Sequence, residues 1–189
     1  MSNADSITLH PSADTTLFET NPDNNLGANP NFVSGTTAGV LLPPFRSRAV
    51  LRFDVAETIP AGAAITSATL KLIKAKLPSV PAASTFGLHR LLVRWGEGTK
   101  SGNTGSQATI GEATWNSRFS LLPQWATPGG QAGTDFQTDS SASTFVSGLG
   151  PYTFASTSNL VADGSASLIV GQDHVAPRDS DSCNGMGRG

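Results

Sequence analysis

Two carboxylates and three indoles are the groups best placed to do chemistry. Trp95-Gly96-Glu97-Gly98-Thr99 and Glu112-Ala113-Thr114-Trp115 each set a carboxylate beside a tryptophan, on either side of one Gly/Ser/Thr-rich loop. A polysaccharide hydrolase or lyase works with paired acidic groups around a sugar held by aromatic rings, so Glu97 and Glu112 are the residues an enzyme would use. The plainer alternative makes both glutamates paired loop groups and both tryptophans anchors. No nucleophile elbow, P-loop, His-Glu-x-x-His or cysteine pair is present. His10, His89 and His174 are far apart, and the single Cys183 cannot close an internal disulfide. The chain is therefore expected to be non-catalytic.

Binding chemistry is better represented. Trp115, Trp125 and Phe119 could form a platform on which the C–H face of a pyranose stacks, unless the rings fill the core instead. Asp14, Asp23, Asn24, Asn25 and Asp54 are hard oxygen donors of the kind that hold a structural calcium ion in β-sandwich loops; as turn formers they equally well bond their own backbone. Arg46, Arg48, Arg52, Lys71, Lys74 and Lys76 fall in or near two long strand patterns. If those strands pair, a basic strip would face an acidic polysaccharide; otherwise the charges decorate a solvent face.

The elements that must position these groups are short strands. No stretch longer than 15 residues lacks both glycine and proline, which excludes a coiled coil, a large helical bundle and a membrane-spanning helix. Alternation predicts strands over residues 6–10, 14–19, 49–55, 64–74, 86–95, 114–122, 152–157 and 166–170. In the clearest of them Ala49, Leu51, Phe53 and Val55 share one face, while Val50, Arg52 and Asp54 share the other. Strands without intervening helices make an all-β chain, an antiparallel β-sandwich of either jelly-roll or Greek-key type.

Composition narrows the partners. Charged residues are 14% of the chain and the net charge is −2, with no basic stripe for a phosphate backbone, so nucleic acid is excluded as a partner. At 38% hydrophobic the chain still holds enough apolar residues for a core. Residues 1–4 lack the basic and apolar regions of a signal peptide and read as an expression-tag remnant. Residues 5–170 form the domain, and the polar, Gly-rich residues 171–189 are expected to be a mobile tail.

Several stretches together resemble the DNRLRE, or disaggregatase-related repeat, family. They are Ala13-Asp-Thr-Thr-Leu-Phe-Glu-Thr20, Asn21-Pro-Asp-Asn-Asn-Leu-Gly27, Arg48-Ala-Val-Leu-Arg-Phe-Asp54 and Ile59-Pro-Ala-Gly-Ala-Ala-Ile-Thr-Ser-Ala-Thr-Leu70. Leu88-His-Arg90, Trp95-Gly-Glu-Gly-Thr99, Ala113-Thr-Trp-Asn116 and Trp125-Ala-Thr-Pro-Gly-Gly130 continue the order and spacing. The resemblance implies an extracellular, non-catalytic jelly-roll sandwich. Some members of the family bind acidic polysaccharides such as alginate. It also makes Trp95, Glu97, Thr114, Trp115 and Asn116 recurring positions, structural or ligand-binding. The end of the chain departs from the family pattern after Asp163. The sandwich is accordingly expected to lack its final strand, leaving an edge open for self-association or a partner strand. Polysaccharide binding is the leading expectation, and a structural or adhesive surface module is the alternative.

Overall fold

The computed structural model describes residues 5–37, 44–77, 83–163 and 167–172. The expectations for residues 1–4 and for residues 173–189, with His174 and Cys183, lie outside them. Ten strands and two helical turns follow one another. They are β1 (Ala13–Phe18), β2 (Asn24–Asn25), β3 (Gly35–Thr36), β4 (Arg46–Arg52), α1 (Val55–Thr58) and β5 (Leu70–Lys74), then β6 (Ser84–Arg90), β7 (Ser106–Gln107), β8 (Ala142–Val146), β9 (Gly150–Phe154), α2 (Ser158–Ala162) and β10 (Leu168–Gln172). The protein is all-β, and every paired strand is antiparallel. No helix among the described residues is long and apolar enough to cross a membrane.

The main sheet runs β1-β4-β10-β6-β8, with β3 paired to the first residues of β4. Alternation along its strands divides the core in two. Ala49 and Leu51 of β4, Phe86 and Leu88 of β6 and Leu168 and Val170 of β10 point to one face, where Phe154 and Leu160 cover them with the flanking Leu70 and Leu72. That cover is the β5–β9 pair together with α2. Val50 and Ile169 point to the other face, with Ala13 and Leu17 of β1. There the cover is irregular chain carrying Leu91, Trp95, Ala113, Trp115, Trp125 and Phe136. The main sheet is thus buried on both sides, by a small sheet on one and by a layer of loops on the other.

The two faces of β4 divide as alternation predicts, but several boundaries move. β4 begins at Arg46 and ends at Arg52, and Val55 opens a helical turn. The strand expected over residues 64–74 is confined to β5, and β5 pairs with β9 rather than β4. The shared basic strip therefore does not form: Lys71 and Lys74 lie in a separate sheet from Arg46, Arg48 and Arg52. The slipped alternation of residues 86–95 resolves because the chain leaves the sheet after Arg90. Residues 114–122 make turns instead of a strand, and residues 6–10 are outside any strand. β8 was not legible, since Ser-Thr-rich Ala142–Val146 shows little apolar alternation.

The end of the described chain also differs from expectation. β10 is hydrogen-bonded on both sides, to β4 and to β6, and so is no open edge. Gly171 and Gln172, assigned by sequence to the tail, extend β10 against Gly87 and Phe86. The edges of the main sheet are β1 and β8.

One amide ties the loop layer to the sheet. Asn25 is fully buried. Its two Nδ2 protons are shared among Glu97 O (2.7 Å), Ala113 O (2.9 Å) and Thr15 Oγ1 (3.2 Å), and its Oδ1 accepts from Gly27 N (2.9 Å) and Lys100 N (3.4 Å). Gly98, at φ +90°, passes so close that any Cβ would collide with the Asn25 amide. Asn is the side chain that can meet donors and acceptors at once.

Core and surface should respond differently to truncation. Leu51→Ala, at a fully buried position of β4, is expected to cost about 2–5 kcal/mol. Ile73→Ala on the outward face of β5, where Ile73 is 77% exposed, should fall within about 0.5 kcal/mol of wild type. Urea unfolding measures both.

Candidate functional site

The face of β4 that carries Val50 also carries Arg46, Arg48 and Arg52, and each guanidinium meets an aromatic ring of the loop layer. Arg46 lies 5.2 Å and Arg48 5.9 Å from the Trp115 ring centre, Arg48 also 5.3 Å from Phe136, and Arg52 5.8 Å from Trp95. A cation over an aromatic face is attracted by the ring quadrupole, more strongly once water is excluded. The charged face of the strand is therefore roofed by aromatic rings over Arg46 and Arg48, while Arg52 packs beside Trp95 and stays exposed.

That arrangement corrects the platform reading. Trp95, Trp115 and Trp125 are 3%, 3% and 4% exposed. Their faces are taken up by arginines and core, leaving no open indole plane for a sugar. Trp125 donates Nε1–H to Thr114 O (2.8 Å), and Gly129 packs so tightly under Trp115 that only glycine fits there. Asn116 is bound to Asp23 (2.9 Å) on the same layer.

Glu97 and Glu112 are likewise engaged by their own loops. Glu97 Oε1 accepts from Asp14 N (3.1 Å), which occupies an outward N–H of edge strand β1. Glu112 is buried, and its Oε1 accepts from Thr99 N and Oγ1 (2.8 Å each), while Oε2 accepts from Thr109 N (2.7 Å). Lys100 Nζ stands 3.6 Å away. Burial alone would raise the pKa of Glu112; the bonds from Thr109 and Thr99 and the Lys100 charge outweigh it and hold the carboxyl below its ordinary value.

The oxygen donors considered for calcium go to separate partners. Asp14 adjoins Glu97, and burial first, then the Glu97 charge, push its pKa up. Asp23 binds Asn116, and Asn24 Nδ2 donates to Thr104 O (3.0 Å). Asp54 precedes α1 without capping it and lines a cleft elsewhere. Among the described residues no three His, Cys, Asp or Glu side chains converge as a metal cluster.

What the structure does bring together is a cleft at the end of the main sheet. β4 and β6 stop there on either side of the start of β10. The cleft has a volume of about 550 Å³ and is lined by Arg52, Asp54, Arg90, Leu92, Arg94, Trp95 and Phe119, among others. Arg52 and Arg94 are exposed. The Arg90 guanidinium is 3.6 Å from Asp163, whose other oxygen accepts from Ser141 Oγ. Arg52 and Arg94 make no ion pair among the described residues, so the cleft presents two uncompensated guanidiniums beside Asp54. Arg94 was missed by sequence reasoning, although Arg90-Leu-Leu-Val-Arg94-Trp brackets the point where alternation fails. Of the lysines, Lys74 Nζ donates to Ser147 O (2.9 Å) and Lys71 stays exposed on β5, both away from this cleft.

Compared with known proteins, the chain matches no family model, no curated protein and no solved structure.

The Glu112 cluster makes a pH-dependent prediction. A carboxyl held below its ordinary value of 4.5 stabilises the fold fully above that value and loses the contribution as the pH falls through the lower folded value. Glu112→Gln sets an amide N–H₂ against an N–H donor and should cost about 1–3 kcal/mol at pH 7. Thermal unfolding should show the deficit at pH 7 and a narrower gap from wild type at pH 3.

Proposed function

We propose that the chain is a non-catalytic, extracellular module of jelly-roll type, resembling the DNRLRE family, that binds an acidic polysaccharide such as alginate in the sheet-end cleft. The observation that carries this reading is the pair of exposed, uncompensated guanidiniums, Arg52 and Arg94, in one cleft of the all-β fold. Arg52 lies against Trp95, so little side-chain freedom is lost when it binds. A guanidinium fork meets a carboxylate through two parallel hydrogen bonds, which suits a uronate better than a neutral sugar. Asp54 offers an acceptor for sugar hydroxyls, and the exposed Leu92 and half-buried Phe119 offer apolar wall. The engagement of Glu97 and Glu112 by backbone N–H groups favours binding over turnover.

Affinity electrophoresis in alginate gels tests the proposal. Arg52→Ala and Arg94→Ala should each weaken retardation about fivefold, as for one exposed charge pair; Arg94→Ala should leave thermal stability unchanged, and Arg52→Ala should lower it only by its Trp95 contact, about 1 kcal/mol. Binding should fall steeply with salt and be absent for a neutral glucan. No retardation in alginate at low salt would sink the reading.

A second reading, a structural or adhesive module, has its own support. β8 is an edge strand without lysine or proline, and its Phe145 is 63% exposed. In that case sedimentation should show concentration-dependent association that Phe145→Lys abolishes; a monomer at all concentrations counts against it.

A further inference from the structure

A second groove opens at the opposite end of β4 from the sheet-end cleft. Its volume is about 190 Å³, and Arg46, Arg48, His89, Thr138 and Gln172 line it, with Phe136 as a wall. Arg48 sets its character. A guanidinium carries five N–H donors. Arg48 uses Nη1 alone, toward Gly129 O (2.6 Å) and Gly130 O (3.0 Å); neither Nε nor Nη2 has a hydrogen-bond partner among the described residues. The flanking Trp115 and Phe136 rings attract the cation but take no in-plane hydrogen bond.

The charge of Arg48 is also short of an acid. Glu19, the carboxylate whose field reaches it, is held by Arg46 through two side-chain bonds of 3.1 Å each. Burial first, then repulsion from Arg46, lower the Arg48 pKa to about 10, as expected of a cation with incomplete compensation.

Two other lining groups add donors. Gln172 Oε1 already accepts from Thr36 Oγ1 (2.8 Å), which leaves its N–H₂ as the half of the amide still to be used. The Nδ1–H of His89 is already given to Gln137 O (3.0 Å), so His89 shapes the groove wall and adds no donor there. Thr138 is exposed and supplies a hydroxyl.

We infer that this groove is a second binding site, separate from the polysaccharide cleft, for a single carboxylate on a small molecule or chain end, seated on the unused edge of Arg48. At about 190 Å³ the groove is below the usual range of roughly 300–1,000 Å³ for drug-sized ligands, which limits it to about one sugar acid. Arg48 is fixed between two rings and two carbonyls before the ligand arrives, so the site is organised in advance. Because it lies away from Arg52 and Arg94, it stands or falls independently of the acidic-polysaccharide reading.

The test is titration of the full chain, followed by calorimetry and by backbone amide shifts, with D-glucuronate, acetate and D-glucose. Glucuronate is expected to move the amides of Thr138 and Gln172. Acetate should move the same amides more weakly, and glucose should leave them in place. Thr138→Glu puts a carboxylate at the groove mouth on an exposed residue, without touching the core. It should weaken glucuronate about tenfold or more through like-charge repulsion. Thr138→Gln, which replaces the hydroxyl with an uncharged amide donor, should lose far less than Thr138→Glu and so separates the added charge from the lost hydroxyl. Both variants should keep any alginate retardation. No amide shift with glucuronate, equal shifts with glucose, or unchanged affinity in Thr138→Glu would each overturn the proposal.

Discussion

A layer of loops packed on a sheet has to satisfy its backbone without a ladder of its own, and here one buried amide meets that requirement. Asn25 joins β1 through Thr15, the 97–100 segment through Glu97 and Lys100, and the 113 segment through Ala113. A buried peptide group without a partner costs about 1–3 kcal/mol. Several such groups converge on this one side chain. Glu112 repeats the device nearby for Thr99 and Thr109, and Asp135 does so for Ala126 and Gln131. With the loops anchored in this way, Trp95, Trp115 and Trp125 can be held over β4.

The roofing of β4 follows from that anchoring. Arginine is more weakly hydrated than lysine and stacks on aromatic planes, so it tolerates a place between sheet and loop where lysine would not. Arg46, Arg48 and Arg52 occupy one face of the strand, and all three meet rings. Arg46 and Arg48 reach the narrow groove, and Arg52 reaches the cleft at the other end of the strand. The sheet interior between them is filled by Val50 and its apolar neighbours. The layer thus sorts three chemically identical side chains by position. Arg46 is paired with Glu19, Arg48 is half-buried at a narrow groove, and Arg52 stands at a wide one.

What could be read from sequence tracks the period of burial. β1, β4 and β10 have side chains that alternate or run apolar, and they were legible to within a few residues, as was the division of β4 into two faces. What alternation could not supply is what covers a face. A charged face conventionally means solvent, and here it means indole. The loop layer left no periodic trace, because Asn25, Glu112 and Thr114 are buried by specific hydrogen bonds and not by an apolar rhythm. The candidate site divides the same way. Arg48 and Arg52 were visible as strand residues. Arg94 lay where the chain turns out of the sheet, and only the fold puts it beside Arg52. Trp115 and Trp125 were singled out for a sugar platform, and packing gives them core positions instead.

The central place of β10 has a consequence for how the molecule is made. Leu51 and Leu88 become neighbours in one sheet only through Leu168 and Val170, which are translated long after both. Until then β4 and β6 each have a bare side on a growing chain, and no local pairing joins them. Contacts this distant in sequence form slowly, because a large loop must close before they contribute. The sheet is therefore completed only once β10 has been made, and a nascent chain that stops before Leu168 carries two unsatisfied apolar edges inside what should be its core. Protection from aggregation during that interval must come from outside the chain or from the loops that cover β4 first.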